Sequence, residues 1–88
     1  MTSEGTDDAH AHVQSHLMRV EELIYGAEAR LAEHAAHMAK LEKSASPELL
    51  AVSQQVQRNL EEGLRLLIHQ RNILARELAY IEHRRDQA

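Results

Sequence analysis

Apolar residues recur along the first half of the chain at spacings that alternate between four and three residues. The row runs without a slip through Val13, Leu17, Val20, Ile24, Ala27, Leu31, His34, Met38 and Leu41. Because 3.6 residues make one turn of an α-helix, this heptad rhythm places the whole row on one helix face. It predicts a first helix over residues 11 to about 43, roughly 50 Å long at 1.5 Å per residue.

The second half of the chain repeats the rhythm, with more polar residues at its start. The row passes through Leu50, Ser53, Gln57, Leu60, Leu64, Leu67, Arg71, Leu74, Leu78 and Ile81. Further apolar residues flank it at Leu49, Val52, Val56 and Ile68. The pattern predicts a second helix over residues 47 to about 84. Near the beginning of this helix, its contact face is wider and contains more polar residues.

A single break separates the two rows. Residues 44–46 form the predicted turn, in which Ser46 is followed by Pro47 and Glu48. Serine suits the N-cap of a helix, proline its first position and an acidic side chain its first turn. A turn this short makes consecutive helices antiparallel neighbours. We therefore expect an all-α fold in which residues 11–85 form one antiparallel two-helix hairpin, a helical coiled-coil hairpin.

The position of the turn also sets a register, because facing residues then have numbers that add up to about 90. The hairpin seam, meaning the rows that face each other, is expected to contain Leu17, Val20, Ile24, Ala27, Leu31, Met38, Leu60, Gly63, Leu64, Leu67, Leu74 and Leu78. Met38 is expected to meet Val52. Ala27 falls opposite Gly63, which predicts a close approach of the two backbones, although a helix also tolerates a glycine that has no such role.

The first ten residues are small, polar and acidic, and they offer nothing to bury. We expect residues 1–10 to be a flexible tail that contains acidic residues and histidine, or a frayed helix start capped by Asp7 or Asp8.

The second helix has more apolar residues than contact with one other helix can bury. Leu66, Ile73 and Tyr80 recur every seven residues on its outer side, and Leu23 and Tyr25 offer a smaller counterpart on the first helix. An apolar row at helical spacing is typical of a docking face. The predicted partner-binding residues are Leu66, Ile73, Tyr80, Ile81, Leu23 and Tyr25. The alternative is that these are scattered apolar surface residues, which are common.

Composition narrows the classes of protein. The chain of 88 residues has no Phe, Trp or Cys and only three Gly and one Pro, which disfavours a β-fold and excludes disulfides. A net charge of -4 argues against nucleic-acid binding. The chain shows no signal peptide and no apolar run long enough to span a membrane, so we expect a soluble, cytoplasmic protein.

Histidine is the one unusual component, with seven residues. His10, His12 and His16 have a spacing that can chelate a transition metal, but no cysteine or carboxylate completes a site, so we predict no metal and no cofactor. His34 lies in the seam, one turn from His37, where a polar residue usually selects register. Its protonation would weaken packing and so would permit a pH response.

The sequence gives little indication of catalytic activity. The chain contains no phosphate-binding loop and no hydrolase or metalloprotease motif, and a two-helix hairpin offers no obvious enclosed pocket. We therefore predict that the protein is not an enzyme.

The chain resembles the small co-chaperones of type III secretion needle subunits, the YscE/SsaE/EscE-like proteins. The residues that match are Leu17, Val20, Glu21, Glu22, Leu23 and Ile24 in the opening, Ser46, Pro47 and Glu48 at the turn, and Leu60, Leu64, Leu67, Ile68, Leu74 and Ala75 in the second helix. The resemblance spans residues 16–82, through a degenerate motif. The histidine-rich amino terminus departs from it, so no role carries over to that segment.

The resemblance implies a cytoplasmic protein that joins a tetratricopeptide-like co-chaperone and a helical secretion subunit, and masks an apolar helix of that subunit before export. From the residues alone, the leading hypothesis is a non-catalytic protein-interaction module. The alternatives are a self-assembling coiled-coil protein, which would form a homodimeric four-helix bundle, and a metal or pH sensor based on the histidines.

Overall fold

A computed structural model describes residues 2–87, with side chains from residue 7 onward. It contains two helices, α1 at Thr2–Leu41 and α2 at Pro47–Gln87, and no strand in the described chain. They pack side by side into a rod of 65 × 14 × 14 Å. The all-α, two-helix hairpin that the sequence predicts is confirmed. Within residues 2–87, no helix is long and apolar enough to cross a membrane.

The second helix begins at the cap that the sequence indicates. The hydroxyl of Ser46 accepts a hydrogen bond of 3.2 Å from the backbone N–H of Leu49, and the Ser46 carbonyl accepts one of 3.0 Å from Leu50. Pro47 is the first helical residue. The cap therefore satisfies one of the N–H groups that the start of a helix leaves without an intrahelical partner.

The first helix ends two residues earlier than predicted, at Leu41. The N–H groups of Ser44 and Ala45 both turn back to the Leu41 carbonyl, at 3.1 and 2.7 Å. These bonds close the chain into a tight turn, so the connection occupies residues 42–46 rather than 44–46.

Replacing Ser46 with alanine is expected to lower the free energy of unfolding by about 1 kcal/mol, because the Leu49 N–H loses its side-chain partner. For a domain of this size that corresponds to a fall in the melting temperature of roughly 4–8 °C. Thermal unfolding followed by circular dichroism measures the shift. Ser44→Ala, in the same turn but outside the cap, is the matched control. Equal falls in the melting temperature of the two variants would contradict the capping role of Ser46.

The amino-terminal segment is helical, as in the second of the two forms expected for it. Helix α1 already begins at Thr2, and residue 1 of the predicted tail lies outside the described residues. The His10 ring lies 3.1 Å from a carboxylate oxygen of Glu82, and Asp7 lies 3.4 Å from the Arg85 guanidinium. Since α2 continues to Gln87 rather than stopping near residue 84, it offers the first turns of α1 a polar partner. The acidic side chains also favour a helix start.

Contacts between side chains fix the register of the hairpin. His10 pairs with Glu82, His16 Nε2 lies 3.4 Å from Gln70 Nε2, and His34 Nδ1 lies 2.7 Å from Gln57 Oε1. The numbers of the paired residues add up to between 86 and 92, close to the expected 90. The two helices are therefore antiparallel neighbours.

The core extends from the middle of the hairpin toward the end away from the turn. Val13, Val20, Ile24 and Leu74 form its buried cluster, and Ala27 is also buried. Partly buried residues pack against the cluster: Leu17, Leu64, Leu67, Ile68, Leu78 and Ile81. Nearer the turn, Leu31, Met38 and Leu60 are half-buried. Burial thus follows the heptad rows, with one exception in the predicted seam.

That exception is Gly63, which is exposed and would have nothing within 4 Å of an added Cβ atom. The predicted close packing of Gly63 against Ala27 is therefore wrong. Adding residue numbers gives the level of a residue along the rod but not the side of the helix on which it lies. Leu60 and Leu64, four residues apart, already fill the seam at this level, so Gly63 is turned outward.

Candidate interaction surface

Helix α2 carries a row of ten exposed residues on its outer side, six of which are large and apolar. These six are between 41% and 63% exposed: Leu49, Val52, Val56, Leu66, Ile73 and Tyr80. Exposed Asn59, Gly63, Gln70 and Glu77 complete the row at alternating spacings of three and four residues. We call these ten positions the outer stripe. It extends for about 46 Å along the helix.

The outer stripe exists because α2 carries two heptad rows at once. Each stripe residue directly precedes a seam residue, and successive residues are turned by about 100° around a helix. The centre of the stripe therefore lies about 100° away from the centre of the seam. Helix α1 covers the seam row and leaves the stripe open to solvent.

Helix α1 adds one apolar residue beside the stripe. The contact between His16 and Gln70, a stripe position, shows which side of α1 borders it. Leu23 is seven residues after His16, so it lies on that same side, and it is 47% exposed. By the register of the hairpin, Leu23 is level with Leu66 and its neighbours, at the middle of the stripe.

Two residues predicted to bind a partner lie elsewhere. Tyr25 is 70% exposed, but it follows Leu23 by two positions and is turned about 200° from it, so it faces the opposite flank of α1 together with Met18. Ile81 is half-buried and packs against the core cluster. Leu66, Ile73, Tyr80 and Leu23 remain together on one side of the hairpin.

The heptad pattern predicts Leu49, Val52 and Val56 on the flank of the seam, and Val52 against Met38. In the structure all three are exposed members of the outer stripe. The signal that identifies them is a second rhythm of three and four from residue 49 to residue 80, in which six of the ten positions are large and apolar.

Charged groups along the outer edge of the stripe are unevenly distributed. This edge consists of the exposed residues Glu48, Gln55, Glu62, His69, Arg76 and His83. Its first half is acidic, and its second half carries the arginine and both histidines. At the far end, the Arg84 guanidinium lies 5.8 Å from the centre of the Tyr80 ring and donates a hydrogen bond of 3.3 Å to its hydroxyl. This contact orients Tyr80 at the end of the stripe.

A polar layer crosses the seam near the turn. His34 Nδ1 lies 2.7 Å from Gln57 Oε1, and the Gln57 amide donates a bond of 3.1 Å to Glu61. Since Oε1 only accepts, His34 donates from Nδ1. A paired polar layer of this kind favours one register of the two helices.

The amino-terminal histidines are directed to different neighbours. His10 contacts Glu82, whereas His16 contacts Gln70. His12 and His16 share an open depression on α1 with Arg19 and Glu22, whose charges are opposite. In the part of the chain that the structure describes, no group of three or more His, Asp or Glu residues could hold a metal ion.

Comparison with known proteins identifies no matching family model, no similar curated protein and no similar solved structure.

Proposed function

We propose that this chain is a non-catalytic protein-interaction module that docks an apolar helix on the outer stripe of α2. The observation that carries the proposal is the exposure of six large apolar side chains in one heptad row. Scattered apolar residues are normal on a protein surface, but a row of this length at helical spacing fits the apolar face of another helix.

The mechanism is masking. A rod 14 Å across buries only one face of each helix, so the hairpin alone leaves the stripe in water. A partner helix that covers the stripe removes apolar surface of both molecules from water, at about 25 cal/mol for each Å². Binding to the folded hairpin also stabilises it by mass action. The polar edge then selects among partners by charge.

The specific form of this proposal follows from the resemblance to the needle-subunit co-chaperones. In that form the protein acts in the cytoplasm, joins a tetratricopeptide-like co-chaperone and holds the apolar helix of a secretion subunit before export. The hairpin fold and the open stripe support it, because both are what a mask for a helix requires.

A light-activated cross-linker tests whether a protein covers the stripe. A benzophenone amino acid replaces Ile73 in one variant and, as a matched control, Met18 in another; the two native side chains are 48% and 60% exposed. After irradiation in native cells, we expect a cross-linked protein adduct from position 73 and little from position 18. Absence of an adduct at position 73, or equal yields at both positions, would overturn the proposal.

A further inference from the structure

We infer that the helix covering the outer stripe is α2 of a second copy of this chain, packed antiparallel. The inference rests on the general form of the proposed function, the docking of an apolar helix on the stripe, and it places a second copy there instead of a secretion subunit. Helix α2 has 41 residues, enough to cover a stripe about 46 Å long from end to end. Two hairpins joined in this way form a four-helix bundle with a two-fold axis through the middle of the stripe.

One antiparallel register makes the stripe complementary to itself. When facing residues have numbers that add up to 129, Val56 faces Ile73 of the second copy, and Leu49 faces Tyr80. The amides of Asn59 and Gln70 also face each other. These layers join apolar to apolar and amide to amide; the layer of Val52 and Glu77 alone joins an apolar to a charged side chain.

In this register the outward-facing Gly63 lies at the centre of the interface. It faces Leu66 of the second copy, and the symmetry repeats the contact. Because an added Cβ at Gly63 meets nothing within 4 Å in the hairpin, the space outside it is open for the leucine side chain. Leu66 is 63% exposed in the single hairpin and therefore has much surface to bury there.

Neighbouring arrangements match less well. A shift by one heptad in one direction places Leu66 on Gln70 and Asn59 on Glu77. A shift in the other direction places Val52 on Gln70 and leaves Tyr80 beyond the start of the opposing helix. A parallel pairing in register would bring the two Glu77 carboxylates together, which is unfavourable.

The edge of the stripe is complementary in the same register. In antiparallel helices, edge positions of this type face one another. Glu48 then faces His83 of the second copy, Glu62 faces His69, and Gln55 faces Arg76. The acidic half of each edge thus meets the half that bears arginine and histidine, and no pair along this edge joins two carboxylates or two arginines.

The exposed area is close to what a stable dimer requires. With exposures of 41–63%, the six apolar side chains leave roughly 550 Å² of surface on each copy, or about 1,100 Å² for two. Stable interfaces bury about 1,200–2,000 Å² in total. The flanking residues and Leu23, which lies level with the two-fold axis, supply the remainder.

Engineered disulfides test both the partner and the register. The chain has no native cysteine. Chains carrying Asn59→Cys are mixed with chains carrying Gln70→Cys in a glutathione redox buffer, and disulfides between chains are mapped by mass spectrometry. A mixture of Asn59→Cys with Glu77→Cys reports the shifted register, and Asn59→Cys alone reports parallel pairing. The same mixtures in urea give the background.

We expect the disulfide between positions 59 and 70 to form about 10-fold more than the 59–59 and 59–77 disulfides, since only this pair comes within bridging distance. Dominance of either of the other two disulfides would overturn the antiparallel register. If none of the disulfides between chains forms in a higher yield than in urea, a second copy is not the partner. The photo-cross-linking at position 73 detects any covering protein, so it still decides the proposed function in that case.

Discussion

Val20→Asp is expected to unfold the hairpin. Val20 is 2% exposed and belongs to the buried core cluster with Ile24 and Leu74. An aspartate there loses the apolar contacts, and its carboxylate is buried without a positive partner, at a cost of several kcal/mol. A domain of this size has a net stability of only about 5 kcal/mol. We therefore expect the helical circular dichroism signal to fall to that of an unfolded chain at 25 °C.

Met18→Asp is the matched control for this prediction. Met18 lies two residues before Val20, is 60% exposed and is turned to the opposite side of α1. The same change of chemistry there is expected to alter the free energy of unfolding by less than about 0.5 kcal/mol. A Val20→Asp chain that keeps its helicity and a cooperative thermal transition would contradict the placement of the core.

Leu66→Asp is expected to abolish association while the hairpin remains helical. In the proposed dimer, the symmetry places two such carboxylates near the axis, each facing Gly63 of the other copy without a positive partner. Burial of these unpaired charges and loss of the leucine contacts are expected to raise the dissociation constant by about 1,000-fold, or about 4 kcal/mol. Sedimentation equilibrium measures the constant, and circular dichroism of the diluted chain measures helicity.

The control for Leu66→Asp is again Met18→Asp, because the two native side chains have similar exposure, at 63% and 60%. It carries the same charge change on the opposite flank of the hairpin and is expected to leave the dissociation constant within about 3-fold of the wild type. Equal weakening by both substitutions would mean that net charge, rather than the outer stripe, controls association.

The hairpin itself could be predicted from the sequence for simple reasons. The two heptad rows define which face of each helix is buried, and the row from Val13 to Leu41 matches the buried and half-buried positions of α1. The N-cap at Ser46 is a local signal that depends on neighbouring residues only.

Features that depend on both helices together were harder to predict. The extension of α1 to Thr2 involves polar pairs such as Asp7 with Arg85, which are far apart in sequence and leave no periodic pattern. The outward position of Gly63 was missed because a sum of residue numbers contains no angle. The angle of each residue around the helix, at 100° per residue, supplies this information and separates the seam from the outer stripe.

The molar mass of the wild-type chain in a dilution series by sedimentation equilibrium tests most directly whether a second copy covers the outer stripe. Each chain has a mass of 10.0 kDa. We predict a dimer of about 20 kDa at micromolar concentrations, which Leu66→Asp converts to a helical monomer. A wild-type chain that stays at 10.0 kDa up to millimolar concentration, with its helices intact, would contradict the account.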